Sequence, residues 1–242
     1  MKYGLQMYSV RDVTETDLYG ALKQVAALGY ENVEFAGFFG HDGETVAAWL
    51  KELGLRASGT HTGLNALRED FDGVVAMHKA IGCDLVIVPS AHATTAAEAD
   101  ALMEEMKDFQ RRLAAHGLKL GYHNHAFEFE PIEDGTTLME RFFTQTDLLL
   151  QLDTFWVYAG GADPVAWMER VNAAGRLPVI HIKDGYADGK GMPLGRGTAP
   201  VKEVYRKAVE LGVPMVVESE TLTPSGMDEA RVCMEYLRAQ EA

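Results

Sequence analysis

A short pattern recurs six times along this 242-residue chain: a helical run ends at Gly, and a β-like run that leads to a polar residue follows. The six copies are LGYENVEF (28–35), LGLRASGTH (53–61), IGCDLVIVPS (81–90), HGLKLGYHNH (116–125), AGRLPVIHIKD (174–184) and LGVPMVVESE (211–220). Two further β-like runs, YGLQMYSVR (3–11) and DLLLQLDTFWV (147–157), lack the Gly. Eight strands that alternate with helices predict an α/β fold, a closed (β/α)8 TIM barrel that forms a single domain over residues 1–242.

The boundaries of the predicted helices and the character of the strands favour this barrel. The helices stop at Gly residues that adopt a positive φ without steric cost, and Asp163-Pro164 and Thr95–Glu98 are typical of helix starts. LVIVP and LLLQL are nearly continuous apolar runs, as in parallel strands that are buried on both faces. An open doubly wound sheet would carry G-x-G-x-x-G after its first strand, whereas YSVRD stands there.

Composition limits the partners and the compartment. The chain has 22 Lys and Arg residues against 36 Asp and Glu residues, a net charge of −14, which disfavours nucleic acid and anionic membranes because both bind basic clusters. Solubility is the simplest reading of this charge. Two cysteines, Cys83 and Cys233, make no disulfide framework, and the first strand begins near Tyr3, so we expect a cytoplasmic protein.

The chemistry of a TIM barrel lies at the C-terminal ends of its strands, so the polar residues there form a list of candidates. They are Gln6, Glu34, His61, Ser90 or His92, His123 with His125, Asp153, His181 with Lys183, and Glu218. Asp153, His181 and Glu218 end three consecutive strands, and two carboxylates with one imidazole suit a divalent ion such as Mn²⁺, Co²⁺, Mg²⁺ or Zn²⁺. Two other interpretations compete with a metal site. Asp153 is then the N-cap of the next helix, and each His is an ordinary hydrogen-bonded residue.

Three segments near these strand ends allow more than one interpretation. In HNH (123–125), alternation along a strand points His123 and His125 to one side. Glu128 and Glu130 follow, and each is either a residue that folds back over the site or a solvated loop residue. Trp156 either stacks on a sugar or packs beneath a loop. The loop PLGRGT (193–198) is either a plain connection or a place where backbone amides and Arg196 meet an anionic ligand.

Taken together, these segments resemble one known group. GLQMYSVRD, the strand ends at Glu34 and His61, GYHNHAFEFE, LDTFW, HIKDG, PLGRGT and VVESE are similar in kind and order to segments of the sugar-phosphate isomerase/epimerase superfamily. The resemblance spans the whole chain. It implies the xylose-isomerase-like TIM barrel, and it implies one divalent metal held by a Glu after β5, an Asp after β6, a His after β7 and a Glu after β8.

Three of these four ligands match Asp153, His181 and Glu218, whereas His123 stands in the place of the Glu after β5. Either His123 is the fourth ligand and His125, Glu34 or Glu128 moves a proton, or His123 is itself a base; the first is favoured. By resemblance, Glu218 is both ligand and general base. We expect Gln6, Glu34, His61, Trp156, Lys183 and Arg196 to contact the substrate.

The function predicted from this resemblance is a metal-dependent isomerase or epimerase of a small sugar, keto-sugar or polyol derivative. The proton would be abstracted next to a metal-polarised carbonyl. A lyase that eliminates water or an aglycone after the same enolisation is the first alternative, and a non-catalytic sugar-binding subunit is the second. A homo-oligomer is expected by analogy with other barrels.

Overall fold

Eight parallel strands close into one barrel in the computed structural model, which describes residues 2–241. The strands are β1 (Tyr3–Gln6), β2 (Asn32–Phe35), β3 (Arg56–His61), β4 (Leu85–Val88), β5 (Lys119–His123), β6 (Leu149–Asp153), β7 (Ile180–Ile182) and β8 (Met215–Val217). Each strand pairs with its sequence neighbours, and β1 pairs with β8 through Tyr3–Met215, Gly4–Val216 and Leu5–Val217. The predicted TIM barrel is therefore confirmed.

Helices surround this barrel. They are α1 (Arg11–Thr14), α2 (Leu18–Leu28), α3 (Gly43–Leu53), α4 (Leu64–Glu69), α5 (Phe71–Ile81), α6 (Ala96–Ala115), α7 (Leu138–Gln145), α8 (Thr154–Ala159), α9 (Pro164–Ala173), α10 (Val201–Leu211) and α11 (Gly226–Gln240). Short 3₁₀ turns at Met7–Val10 and Phe127–Phe129, and a small hairpin of Asp184–Gly185 with Gly191–Met192, complete the described elements. Within residues 2–241, no helix has both the length and the apolar character that crossing a membrane requires.

The predicted helix boundaries agree with the structure. Thr95 and Glu98 form a reciprocal capping box at the start of α6, and Asp163 caps α9 with Pro164 in the first turn. The six Gly residues of the repeated pattern all have a positive φ, between 66° and 97°. Each helix therefore ends sharply, and the chain turns directly into the next buried strand.

The last helix joins the two ends of the chain. Gly226 at its start lies so close to the 3₁₀ turn after β1 that a Cβ would come within 2.2 Å of the carbonyl oxygen of Ser9. Further along, the buried hydroxyl of Tyr30 donates to the carbonyl of Ala230 at 2.8 Å. These contacts fasten α11 across the seam where β1 meets β8.

Two buried carboxylates hold the loops that follow β7 and β8. Asp184 accepts hydrogen bonds from the backbone amides of Gly185, Gly195, Gly197 and Ala199 at 2.8–3.3 Å. Glu229 in α11 accepts from the amides of Thr221 and Thr223 and from the hydroxyls of Ser219 and Thr221. Both loops are thus fixed in place above the strand ends.

Candidate metal centre

Four side chains from four consecutive strands converge inside the C-terminal mouth of the barrel. His123 ends β5, Asp153 ends β6, His181 lies in β7 and Glu218 follows β8. One potential ligand atom from each lies within 4.8 Å of the others, and all four residues are buried. A set of two imidazoles and two carboxylates is a donor set that Zn²⁺, Mn²⁺ or Co²⁺ accepts.

Asp153 divides its two oxygens between two tasks. Its Oδ1 accepts from the backbone N–H of Trp156 at 2.9 Å, and so it caps α8. Its Oδ2 is buried and has no hydrogen-bond partner among the described residues. An orphaned carboxylate oxygen in a dry interior is costly, and a cation at the centre of the cluster would satisfy it. The two readings of Asp153 from sequence, N-cap and ligand, are therefore compatible.

Both nitrogens of His181 face carboxylates. Nε2 donates to Glu34 Oε1 at 2.6 Å, and Nδ1 lies 2.8 Å from Glu218 Oε2 and 4.0 Å from Asp153 Oδ2. Burial alone would lower the pKa of His181, but Glu34 and Glu218 outweigh it and raise that pKa to about 10. At neutral pH His181 therefore carries a proton on both nitrogens, and a metal ion would bind Nδ1 in place of the proton that is shared with Glu218. The Glu34 contact fixes the ring in the orientation that such binding needs.

Gln151 performs the same task for His123. Gln151 Oε1 lies 3.2 Å from His123 Nδ1, so Nε2 of His123 is the nitrogen left for the cluster. Nε2 of Gln151 donates to Glu34 Oε2 at 2.5 Å. Burial, followed by the nearby His181, lowers the pKa of His123 well below its usual value. The ring is therefore neutral, which is the form that binds metals. Gln151 was missed from the sequence, although it interrupts the run LLLQL and alternation puts it on the same face as Asp153.

Gln6, Glu34 and His61, predicted to bind substrate, lie around this cluster in different ways. Glu34 is wholly buried, and besides His181 and Gln151 it accepts from Gln6 Nε2 at 2.7 Å and lies 3.0 Å from His61 Nε2. Burial opposes the ionised form of Glu34, but His181 and His61 lower its pKa. Gln6 and Glu34 thus lie beneath the cavity, and His61 lies on its wall.

Lys183 enters the mouth beside the cluster. Its Nζ lies 3.9 Å from both Asp153 Oδ2 and Glu218 Oε2, and it pairs closely with Glu220. The ring of Trp156 packs 4.6 Å from the same ammonium. Burial favours the protonated form of Glu218, but Lys183 and His181 bring its pKa well below the usual value.

His125 lies next to the cluster but outside it. Its ring centroid is 5.0 Å from that of His123, and its buried Nδ1 has no partner among residues 2–241. Burial lowers the pKa of His125 to about 4, so the ring is neutral and able to accept a proton. Glu128 folds back beneath it, as one reading of the sequence foresaw, and accepts from the His125 amide at 2.7 Å and from the Tyr122 hydroxyl at 2.7 Å.

Arg196 is the predicted site residue that the structure does not bring to the cluster. Its loop is exposed at that position, and none of the described contacts joins its side chain to the mouth. The amides of Gly195 and Gly197, which sequence reasoning offered to an anionic ligand, are taken by Asp184. Asp184 itself was not singled out from sequence, because an acidic residue after a strand gives no sign of what it holds.

A cavity of about 450 Å³ opens above the cluster. It is lined by Tyr8, Ala36, His61, Gly63, Pro89, His123, His125, Glu218 and Glu220. Two candidate ligands, two histidines outside the four-residue cluster and one acidic residue at the rim therefore face the same space. This is the arrangement of a pocket that binds a small polar molecule over a metal.

The family model described as xylose isomerase-like TIM barrel matches residues 22–240. The chain belongs to that family. No curated protein sequence matches it. A sugar phosphate isomerase/epimerase from Parabacteroides distasonis is 25% identical, with 98% of this chain and 93% of that chain covered and a TM-score of 0.82.

Two more distant structures share the fold of this xylose isomerase-like barrel. A probable 3-DHS dehydratase from Bacillus anthracis is 14% identical over 98% of this chain and 99% of that chain, with a TM-score of 0.76. A protein named IOLI, solved with a zinc atom, is 13% identical over 99% and 98% of the two chains, with a TM-score of 0.75. The neighbours thus include a sugar phosphate isomerase/epimerase and a probable dehydratase.

Proposed function

We propose that the chain is a metal-dependent isomerase or epimerase of a small sugar, keto-sugar or polyol derivative. The observation that supports this most is the buried cluster of His123, Asp153, His181 and Glu218 beneath a cavity that a separate, neutral histidine also faces. A divalent ion held there would polarise a carbonyl oxygen and acidify the neighbouring C–H. Mn²⁺, Co²⁺, Mg²⁺ or Zn²⁺ would serve this purpose.

The residues around the cavity have different roles in the proposed reaction. His123 completes the ligand set, as favoured from sequence, while Gln151 and Glu34 hold the imidazoles in orientation. His125 and Glu218 both face the cavity, and both are unprotonated at neutral pH, so either one can take the proton from carbon. The other group returns a proton to the opposite face after it has itself taken one from solvent. Lys183, whose Nζ lies near two of the ligand carboxylates, orients a hydroxyl or carbonyl oxygen of the substrate.

Metal content tests the first half of this proposal. We expect about one divalent ion per chain by elemental analysis of the purified protein, and its loss in Asp153→Ala and His181→Ala, because each removes a ligand. Asp163→Ala is the matched control, since Asp163 also caps a helix but lies exposed on the outside of the barrel. The proposal fails if the wild-type chain binds none of the four metals after loading with each.

Proton exchange tests the second half. Incubation with a panel of ketoses in D₂O should replace one carbon-bound hydrogen by deuterium, as followed by ¹H NMR. His125→Asn should retain the metal but slow the exchange by roughly 10²-fold or more, the usual contribution of a positioned general acid or base. Equal exchange rates in wild type and variant would remove His125 from this role.

A lyase is the second candidate function. The probable dehydratase among the structural neighbours favours it, and enolisation is the first step of both reactions. The same NMR experiment separates them, because a lyase releases water or an aglycone and forms an unsaturated product. Metal and sugar binding with no exchange on any ketose would instead support a non-catalytic sugar-binding subunit.

A further inference from the structure

The cavity of about 450 Å³ above the cluster forms the mouth of the barrel, and a second, larger cavity adjoins it. This side groove measures about 870 Å³ and lies between the loop after β3 with α4, the loop after β4, and the first half of α6. Gly63 lines both spaces, and Pro89 of the mouth is followed by Ser90 of the groove. The groove therefore borders the mouth at the C-terminal face of the barrel.

A row of aromatic rings connects the two spaces. The ring of Phe127 stacks on His92 of the groove at 4.3 Å between centroids, and on His125 of the mouth at 5.9 Å. The interplanar angles are 21° and 13°, so the three rings are nearly parallel. Such a wall offers apolar faces next to the position of the proposed proton transfer.

Gly63 lies on the border between the two cavities. Its φ of −65° and ψ of 153° are accessible to any residue, so its backbone does not require Gly. A Cβ built there meets no heavy atom within 4 Å, so a side chain at this position would extend into open space.

The charges of the groove favour a neutral occupant. Its guanidinium, that of Arg68, makes two hydrogen bonds of 2.6 Å to Glu105 and one of 3.0 Å to Asn65. Glu98, also on the wall, caps α6. In the described part of the chain, the hydroxyl of Ser90 and the ring nitrogens of His92 make no hydrogen bond with protein and remain for a ligand.

We infer that the side groove is a second subsite, and that the substrate is a neutral derivative of two linked rings. The reacting ring lies in the mouth, and a second hydroxyl-rich ring lies in the groove against His92. The mouth has a volume of about 450 Å³, within the range of about 300–1,000 Å³ that is typical of small-molecule pockets. The reacting ring therefore fits in the mouth alone, and the groove is available for a second ring. This inference rests on the proposed function and names its substrate class.

Binding of matched ketoses tests the subsite. The probes are D-fructose, with one ring, and turanose, isomaltulose and lactulose, each with a fructose unit linked to a second sugar. With zinc-loaded protein, we expect saturation-transfer NMR to show contact with both rings of at least one two-ring ketose, and its Kd to be about tenfold lower than that of fructose. Fructose 1-phosphate should bind no tighter than fructose.

Two variants locate this gain in affinity. Gly63→Leu should weaken the binding of two-ring ketoses more than that of fructose, because Gly63 lines both cavities, and Gly63→Ala is the smaller control. Ala101→Trp, at an exposed position that lines the groove, should also remove the gain, whereas Ala114→Trp, exposed on the same helix but away from the groove, should not.

Three results would overturn the subsite: no two-ring ketose binds tighter than fructose, Gly63→Leu weakens one-ring and two-ring ligands equally, or no ketose binds at all. Tighter binding of fructose 1-phosphate would overturn the neutral substrate class. These binding measurements are separate from the measurements of metal content and proton exchange that test the proposed function. A chain that exchanges protons on one-ring ketoses without any gain from a second ring retains the proposed function and loses only the subsite.

Discussion

Glu128 is a buried acid whose ion-pair contact among the described residues is His125, with 4.0 Å between Oε1 and Nδ1, and His125 is neutral at neutral pH. It accepts from the hydroxyl of Tyr122 and from the amide of His125, and so it fixes the segment that carries His125. Burial raises its pKa to about 7 despite both hydrogen bonds. At the scale of the residue, the position of His125 thus depends on a carboxyl group whose ionised form is disfavoured by burial.

This raised pKa predicts a pH dependence of stability. Between the unfolded pKa of 4.5 and the folded value of about 7, the folded state binds more protons than the unfolded state, so the free energy of unfolding falls as pH rises. The loss approaches about 3 kcal/mol above pH 7. We expect Glu128→Gln, which carries no charge, to lack this loss.

Urea unfolding at pH 5 and pH 8 measures this effect. The difference in unfolding free energy between wild type and Glu128→Gln should shift in favour of the variant at pH 8, and other titrating groups cancel in the comparison. A difference that is the same at both pH values would contradict the assignment.

Single residues also show where reasoning from sequence stops. Asp153, His181 and Glu218 converge because strand ends of a barrel must converge, and that much follows from a repeated pattern. The partner of each side chain does not follow from it. Gln151 was missed because nothing local reveals that it holds His123 and Glu34. Arg196 is exposed and makes no described contact with the mouth, and Asp184 holds the amides on both sides of it.

At the scale of elements, the loop after β8 depends on a single carboxylate of α11. Glu229 is buried and accepts four hydrogen bonds from that loop. The loop carries Glu220, the partner of Lys183 in the mouth. A helix on the outside of the barrel thus determines where an acidic group stands at the rim.

Glu229→Gln should therefore destabilise the protein. An amide cannot accept at both of its ends, so buried donors lose a charged partner, which costs roughly 1.5–3 kcal/mol. Urea unfolding measures this, and limited proteolysis should show faster cleavage within residues 219–224. Glu235→Gln on the same helix is the control, because its exposed pair with Arg231 is worth less than about 1 kcal/mol. Equal stabilities of the two variants would contradict the role of Glu229 as an anchor.

At the scale of the whole molecule, closure of the barrel requires the first and last units to meet. Pairing of β1 with β8 forms the seam, and α11 covers it through Gly226 and through the Tyr30 hydroxyl. The sequence predicts that such a seam exists, since eight strands must close. The sequence does not reveal which contacts stabilise the seam, because those contacts join residues some 200 positions apart.

Tyr30→Phe tests how much the hydrogen bond from the Tyr30 hydroxyl to Ala230 stabilises the seam. Removal of the buried hydroxyl should lower the unfolding free energy by roughly 0.5–1.5 kcal/mol while unfolding stays cooperative. Tyr19→Phe is the control, since its hydroxyl bonds to Glu52 at the surface, and we expect a change within about 0.5 kcal/mol. A larger loss in the control would place the stabilising contact elsewhere.

Glu34 connects strands that are distant in sequence. It stands on β2 and bonds to Gln6 of β1, Gln151 of β6 and His181 of β7, so it joins the two halves of the barrel across the lumen. Replacement of the last four strands by those of another protein would take Gln151 and His181 from this buried anion and leave it with Gln6 and His61. Loss of one partner of a buried ion pair typically costs about 3–5 kcal/mol. Recombination of halves is therefore restricted: the first four strands are exchangeable only together with a matching glutamine and histidine in the last four.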